Sequence, residues 1–156
     1  MKVIGYRAEK DGIHWAVVEG TQAEPKLVVC EYIRAPEIND EAQSLHYLRT
    51  RVLADIARHA PVKSFVRYPE TNRKQGAVVS ADSRSRIEGI ILQALAEMKV
   101  RVVTGVISRI KAMTGLDDPR DLLKNGTGVG GLTFPSKNLS CREAILSAFA
   151  AAEKGD

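Results

Sequence analysis

The sequence is short of cysteine, with two in 156 residues. Two thiols build neither a disulfide framework nor a metal cluster, so a staple-held secreted scaffold and a zinc module are excluded. Cys30 lies in an apolar run and reads as a small core residue, and Cys141 has no evident partner as a nucleophile. Long apolar runs are also missing. No stretch approaches the ~20 residues a membrane-spanning helix needs, so no membrane partner is expected. Residues 1–7 contain no apolar h-region and no cleavage site, so they are not expected to act as a signal peptide. A reducing cytoplasm is the expected location. There is no linker, low-complexity tract or internal repeat. What remains is 156 residues at 44% hydrophobic and 27% charged, enough to bury a core as one domain, 1–156, and too apolar for disorder.

The net charge is +4, from 23 basic and 19 acidic residues. Its distribution is uneven. Residues 62–115 hold ten basic side chains against four acidic ones, and the rest of the chain is slightly acidic. A basic middle on a near-neutral frame suggests a surface facing a polyanion; the bland alternative is a solvated Lys/Arg surface.

Local patterns predict the elements. Residues 2–6, 13–19 and 26–33 read as strands joined by the Asp11-Gly12 turn and a turn-rich segment, 20–25. Connections this tight join antiparallel neighbours, so a meander is expected. A helix follows, with Asn39 as N-cap and Leu45, Leu48, Val52 and Ile56 on one face, ended by Pro61. Residues 62–68 read as a fourth strand. Residues 83–98 read as a second helix, with Ser85 and Glu88 matching a capping box. Residues 100–106 form a near-continuous apolar run, of the kind buried on both faces of a sheet. Short helices are expected at 107–113 and 119–123, a flexible glycine-rich loop at 125–131, and a last helix at 140–154. The order predicts an α/β fold with a mixed five-stranded sheet, a three-strand meander plus βαβ units, flanked by helices.

Three stretches carry a resemblance. They are VIGYRAE at 3–9, SRSRIEGI at 83–90, and VVTGVISRIKAMTG at 102–115. Together with the element order they resemble the ribonuclease H-like superfamily, and within it the RuvC-type Holliday-junction resolvases. That resemblance implies carboxylates at the ends of the first and fourth strands and on the last helix, holding two Mg²⁺ ions that activate water. The sequence departs from the pattern. Arg7 stands at the first-strand aspartate position, and the fourth-strand glutamate position falls on Arg67 or Tyr68. The acidic pair of the last helix falls near Ser140 and Glu143, and Glu143 alone keeps a carboxylate. First and fourth strands are neighbours in this fold, so Arg7 and Arg67 are expected side by side. Paired guanidiniums repel Mg²⁺ and attract phosphate or carboxylate. No metal ligand set is therefore assigned.

The remaining acids give weaker candidates. Glu70, just beyond Pro69, and Glu143 are the catalytic candidates if a nuclease survives, and Mg²⁺ is implied in that case alone. Glu9 and Asp11 read as solvated turn residues, although a rearranged metal site is the alternative. Residues 140–143 match a capping box, in which Glu143 caps the last helix. Gly126, Gly128 and Gly131 fit G-x-G-x-x-G, but no strand precedes them and no helix follows directly. His46 and His59 read as surface residues, and Trp15 and Tyr32 as sheet packing.

The function expected first is a catalytically inactive nucleic-acid-binding module, a pseudo-nuclease. Arg7, Arg67, Arg73, Lys74, Arg84 and Arg86 would contact the phosphate backbone, and Tyr68 adds an aromatic. DNA is the expected partner ahead of RNA. The alternatives are a divergent Mg²⁺-dependent endonuclease or junction resolvase, and a protein-binding scaffold subunit. RuvC-like proteins often work as dimers, so the resemblance also implies a homodimer or a place in a larger protein assembly.

Overall fold

The computed structural model describes the backbone of residues 1–70 and 77–156, and the side chains of 1–70 and 81–156. The elements run β1 (Lys2–Glu9), β2 (Gly12–Gly20), β3 (Pro25–Arg34), α1 (Glu41–His59), β4 (Lys63–Arg67), α2 (Ala77–Glu97), β5 (Arg101–Gly105), α3 (Ile107–Thr114), α4 (Pro119–Asn125), β6 (Gly128–Val129), β7 (Leu132–Thr133) and α5 (Leu139–Ala151). The main sheet has the order β3-β2-β1-β4-β5. β1 pairs antiparallel with β2 and β2 with β3, whereas β1–β4 and β4–β5 are parallel. The expected α/β fold, meander plus βαβ units, is what forms.

β1 is central and buried on both faces. Val3 packs with α5 on one side, and Ile4, Tyr6 and Ala8 pack with α1 and α2 on the other. Strand alternation thereby feeds two cores, one on each face. Each fully buried large apolar side chain, such as Phe65 toward α5 or Ile91 toward α1, contributes about 2 kcal/mol.

Several boundaries differ from the sequence expectation, each for a local reason. Asp40, not Asn39, caps α1, and its carboxylate accepts the Gln43 amide at 3.1 Å. The α1 C-cap is Ala60, in the left-handed region at φ 49°. α2 starts by Ala77, so Ser85 and Glu88 lie inside the helix and form no capping box. Ser83 donates instead to the Lys10 carbonyl at 2.9 Å. β5 is an edge strand with Arg101, Val102 and Thr104 exposed, so its apolar run is not covered on both faces. The glycine-rich stretch contains a small β6–β7 hairpin, pairing Gly128 with Thr133 and Val129 with Leu132. Among the described residues, no helix is long and apolar enough to cross a membrane.

The largest departure is α5. Asn138 caps it and accepts the Cys141 amide at 3.0 Å, so Ser140 is not the cap and Glu143 is released from a capping role. The helix is also not one-sided. Every residue from Cys141 to Ala151 is buried, because the sheet covers one face and α3, α4 and the hairpin region cover the others. A helix apolar on all sides belongs inside a protein. Gly5 in β1 permits the close approach: a Cβ there would collide with the backbone of Ala144 and Ala148.

Candidate functional site

The site grows from the register of the two parallel central strands. Arg7 of β1 stands directly opposite Arg67 of β4. Adjacent parallel strands lie about 4.8 Å apart, so two cationic side chains on one face need an anion between them. α5 supplies it. Glu143, early in that helix, accepts a hydrogen bond from Nε of Arg7, and its other oxygen lies 3.9 Å from Nη2 of Arg67. Both partners are well covered: the side chains of Glu143 and Arg67 are 9% and 6% exposed.

The cluster extends outward. Nη2 of Arg67 is 3.6 Å from Oε1 of Glu70, which lies 3.7 Å from Nη2 of Arg120. The same Glu70 oxygen accepts the Ile107 amide at 3.1 Å, where α3 begins. A carboxylate suits the positive end of a helix. Glu70 is thus a cap for α3 and a bridge between two arginines. Burial pulls the Arg67 guanidinium below its ordinary value, opposed chiefly by Glu143, and Arg7 adds to the lowering. Three guanidiniums share two carboxylates, which leaves the cluster net positive.

Two groups flank this core. Glu9, at the end of β1, accepts from the Ser140 hydroxyl and lies 3.5 Å from Nε2 of His14. Burial lowers the His14 value, with Glu9 opposing, so the imidazole is neutral at pH 7. His14 stacks on Tyr32 with ring centroids 4.4 Å apart. On α2, Glu88 is buried and lies 4.0 Å from Nε of Arg84. Burial raises its carboxyl, and the charges of Arg84, Arg7 and Arg67 oppose that rise. Tyr68, Ser85, Glu88, Gly89 and Leu92 line a shallow cleft of about 300 Å³ beside it.

The sequence candidates therefore separate. Arg7, Arg67, Glu70 and Glu143 converge at the carboxyl ends of β1 and β4. Both arginines already face carboxylates, and Arg67 is buried, so neither presents a free guanidinium. Arg84 is paired with Glu88, and the half-exposed Arg86 lies 3.3 Å from Glu41. Arg73 and Lys74 lie outside the described residues. Asp11 is at the expected turn, where it accepts from the Tyr32 hydroxyl at 3.2 Å, whereas Glu9 leaves the turn for the strand end.

Sequence reasoning missed the inward roles of Glu9 and Glu88, and it missed Arg142. The signal for Glu88 was its spacing to the apolar Ile91 and Leu95, which puts it on the edge of the buried stripe. Arg142 donates to the carbonyls of Ser136, Leu123 and Gly126 at 2.8, 2.9 and 3.1 Å, and covers the Phe134 ring. It ties the α4–β7 segment to α5. Nothing local in the sequence marks a residue whose partners are all backbone carbonyls.

The two-metal arrangement implied by the resemblance does not fit these residues. A guanidinium stands where the first-strand carboxylate is required, and a second one holds Glu143 from the other side. Among the described residues, no three of the His, Cys, Asp and Glu side chains group as a metal site needs.

No protein-family model matches the sequence, and no curated protein matches it. Solved structures do. A Thermus thermophilus RuvC structure superposes with a TM-score of 0.77 at 20% identity, covering 96% of this chain and 92% of that one. T. thermophilus RuvC in complex with a Holliday junction substrate gives 0.75 at 18% identity, over the same shares. The fold is thus ribonuclease H-like and RuvC-type.

Proposed function

We propose that this chain is a catalytically inactive RuvC-like module that binds nucleic acid, DNA ahead of RNA, through its phosphate backbone. The observation that carries this reading is the Arg7–Glu143–Arg67 cluster. On this fold, guanidiniums at the ends of β1 and β4 replace divalent cations as the positive charge that meets Glu143. A fixed guanidinium delivers no metal-bound water, so hydrolysis loses its nucleophile, while the local potential stays positive and keeps its attraction for phosphate. The cluster forms the floor. The contacts belong to Arg84 and Arg86 on α2, with Arg73 and Lys74 in the preceding segment and Tyr68 beside the Glu88 cleft. Arg86 exchanges Glu41 for phosphate at low cost, since exposed ion pairs are worth little, whereas Arg84 keeps the buried Glu88 beside it while it meets phosphate. The known complex of T. thermophilus RuvC with a junction makes branched DNA the first substrate to try.

The test is binding to single-stranded, duplex and four-way-junction DNA, and to matching RNA, over a salt series. Mg²⁺ or Mn²⁺ is present and cleavage is scored. Binding without cleavage is expected, and the double variant Arg84→Gln/Arg86→Gln should flatten the log–log salt slope by about 1–2. Cleavage that disappears in Glu70→Gln overturns the inactivity and supports a divergent metal-dependent nuclease. Absence of binding at low salt leaves a protein-binding scaffold.

A further inference from the structure

The two cysteines of the chain, far apart in sequence, meet in the fold. Cys30 on edge strand β3 faces the α5 side of the sheet, and its sulfur lies 2.9 Å from the sulfur of Cys141. Both are free thiols. Cys141 stands in the first turn of α5, two residues before Glu143, and its amide is held by the Asn138 cap. The Cys30 sulfur also lies 3.9 Å from the Cys141 carbonyl oxygen. Cys30 is partly open to solvent at the sheet edge, whereas Cys141 is buried beneath it. A half-buried thiol on an edge strand and a buried thiol at a helix N-terminus are thus in contact.

We propose that Cys30 and Cys141 are a redox-modification site, a dithiol that peroxide converts to a disulfide fastening edge strand β3 to the first turn of α5. The chemistry balances with hydrogen peroxide as oxidant. The Cys141 thiolate attacks one peroxide oxygen; the S–O bond forms, the O–O bond breaks, and the departing hydroxide takes up the proton released by the thiol. The Cys30 sulfur then attacks the Cys141 sulfenic sulfur; the S–S bond forms, the S–O bond breaks, and the leaving hydroxide takes the Cys30 proton. Two thiols are oxidised, one peroxide is reduced, and two waters leave. Peroxide is close to water in size, so it reaches a sulfur that a bulky oxidant does not. The electrostatics divide the roles in the same direction. The Cys141 thiol is lowered to about 7, first by the hydrogen bond from Cys30 and also by the charge of Arg142. The Cys30 thiol is pushed up, first by its bond to Cys141 and then by burial. The first turn of α5, where the helix end is positive, and the charge of Arg142 favour the thiolate at Cys141, which makes it the attacking sulfur and Cys30 the resolving one.

The consequence is mechanical. α5 carries Glu143, the anion shared by Arg7 and Arg67, and β3 is an outer strand held on one side by β2 alone. A bond between them closes a loop of more than a hundred residues and removes freedom chiefly from the unfolded chain. The oxidised protein is more resistant to unfolding than the reduced one.

The experiment uses the full chain, reduced and then titrated with hydrogen peroxide. Thiols are counted, and intact and peptide masses are read. The expected result is the joint loss of both thiols in a monomer, with the mass of two hydrogen atoms missing and a Cys30–Cys141 cross-linked peptide. Dithiothreitol reverses the change, and the oxidised form has a higher thermal midpoint. In Cys30→Ser the reaction should stop at a Cys141 sulfenic acid that dimedone traps. In Cys141→Ser, Cys30 should stay reduced at the same dose. The proposal is overturned if both wild-type thiols persist at a dose that oxidises free cysteine. Added oxygen or intermolecular dimers in place of the internal bond also overturn it, as does a thermal midpoint that fails to rise.

Discussion

Glu143 reaches from α5 to the guanidinium of Arg7 on β1, and its second oxygen is 3.9 Å from Arg67 on β4. One carboxylate therefore compensates two cations that the strand register forces side by side. Taking that carboxylate away leaves two covered guanidiniums facing each other. Glu143→Gln is expected to destabilise the fold by about 3 kcal/mol, read as a lowered urea midpoint. The double variant Arg7→Met/Glu143→Leu should recover the part of the loss that comes from Arg7, while Arg67 keeps Glu70 at 3.6 Å. If the single losses of Arg7→Met and Glu143→Leu simply add in the double variant, Arg7 and Glu143 are not coupled.

The same cluster predicts indifference to divalent cations. Adding Mg²⁺ at millimolar concentration should leave the thermal midpoint where it was, because a ligand that binds the native state must raise it. A saturable rise would mean that carboxylates near Arg7 do hold a metal, and the inactive reading would fail with it.

Asp55 offers a pH test on the opposite face of the sheet. It is buried in α1, and burial raises its carboxyl above the ordinary 3.8, with Arg51 and Arg58 opposing. A carboxyl raised by folding binds its proton more tightly in the native state. Its contribution to stability is thus fully present below the unfolded value and is lost as pH climbs through the folded one. Asp55→Asn cannot ionise and avoids that loss. The variant should melt above wild type at pH 7, with the gap closing as pH falls below 3.8. His14, whose value burial lowers, weakens both proteins equally on acidification and cancels in the comparison.

Arg142 anchors a segment that the glycine content alone would leave loose. Its guanidinium satisfies carbonyls at Leu123, Gly126 and Ser136 from within the first turn of α5. Arg142→Ala should cost about 3 kcal/mol, since one buried and two part-buried carbonyls lose a charged donor together. Limited proteolysis should then open residues 126–137 before the rest of the chain. Unchanged protection there would show that the β6–β7 hairpin holds itself.

Gly5 tests the seat of α5. A Cβ at this position meets the backbone of Ala144 and Ala148, and backbone cannot swing aside as a side chain does. Gly5→Ala should destabilise by about 3 kcal/mol. An unaffected melting temperature would mean that α5 sits farther from β1 than described.

Much of this was legible in the order of residues. Apolar alternation, turn dipeptides and helical spacing are local, and they placed the five strands of the sheet and most helix boundaries to within a few residues, although α2 is already helical at Ala77, well before its expected start at 83. The element order then selected the ribonuclease H-like sheet, and the absence of carboxylates at positions 7 and 67 was visible directly. Other features depend on what lies across space. Residues 140–143 match a capping box, yet Asn138 takes the cap, and Glu143 is free to bind Arg7 because β1 lies beneath it. The apolar 100–106 run matches a covered strand, yet the sheet ends at β5. Cys30 and Cys141 meet because β3 and the first turn of α5 pack together. Local spacing dictates which backbone segment forms, since hydrogen bonds and side-chain stripes are settled within a few residues. Which charge meets which, and which thiol finds a partner, was decided by the tertiary structure, because those energies arise only when distant segments exclude water together.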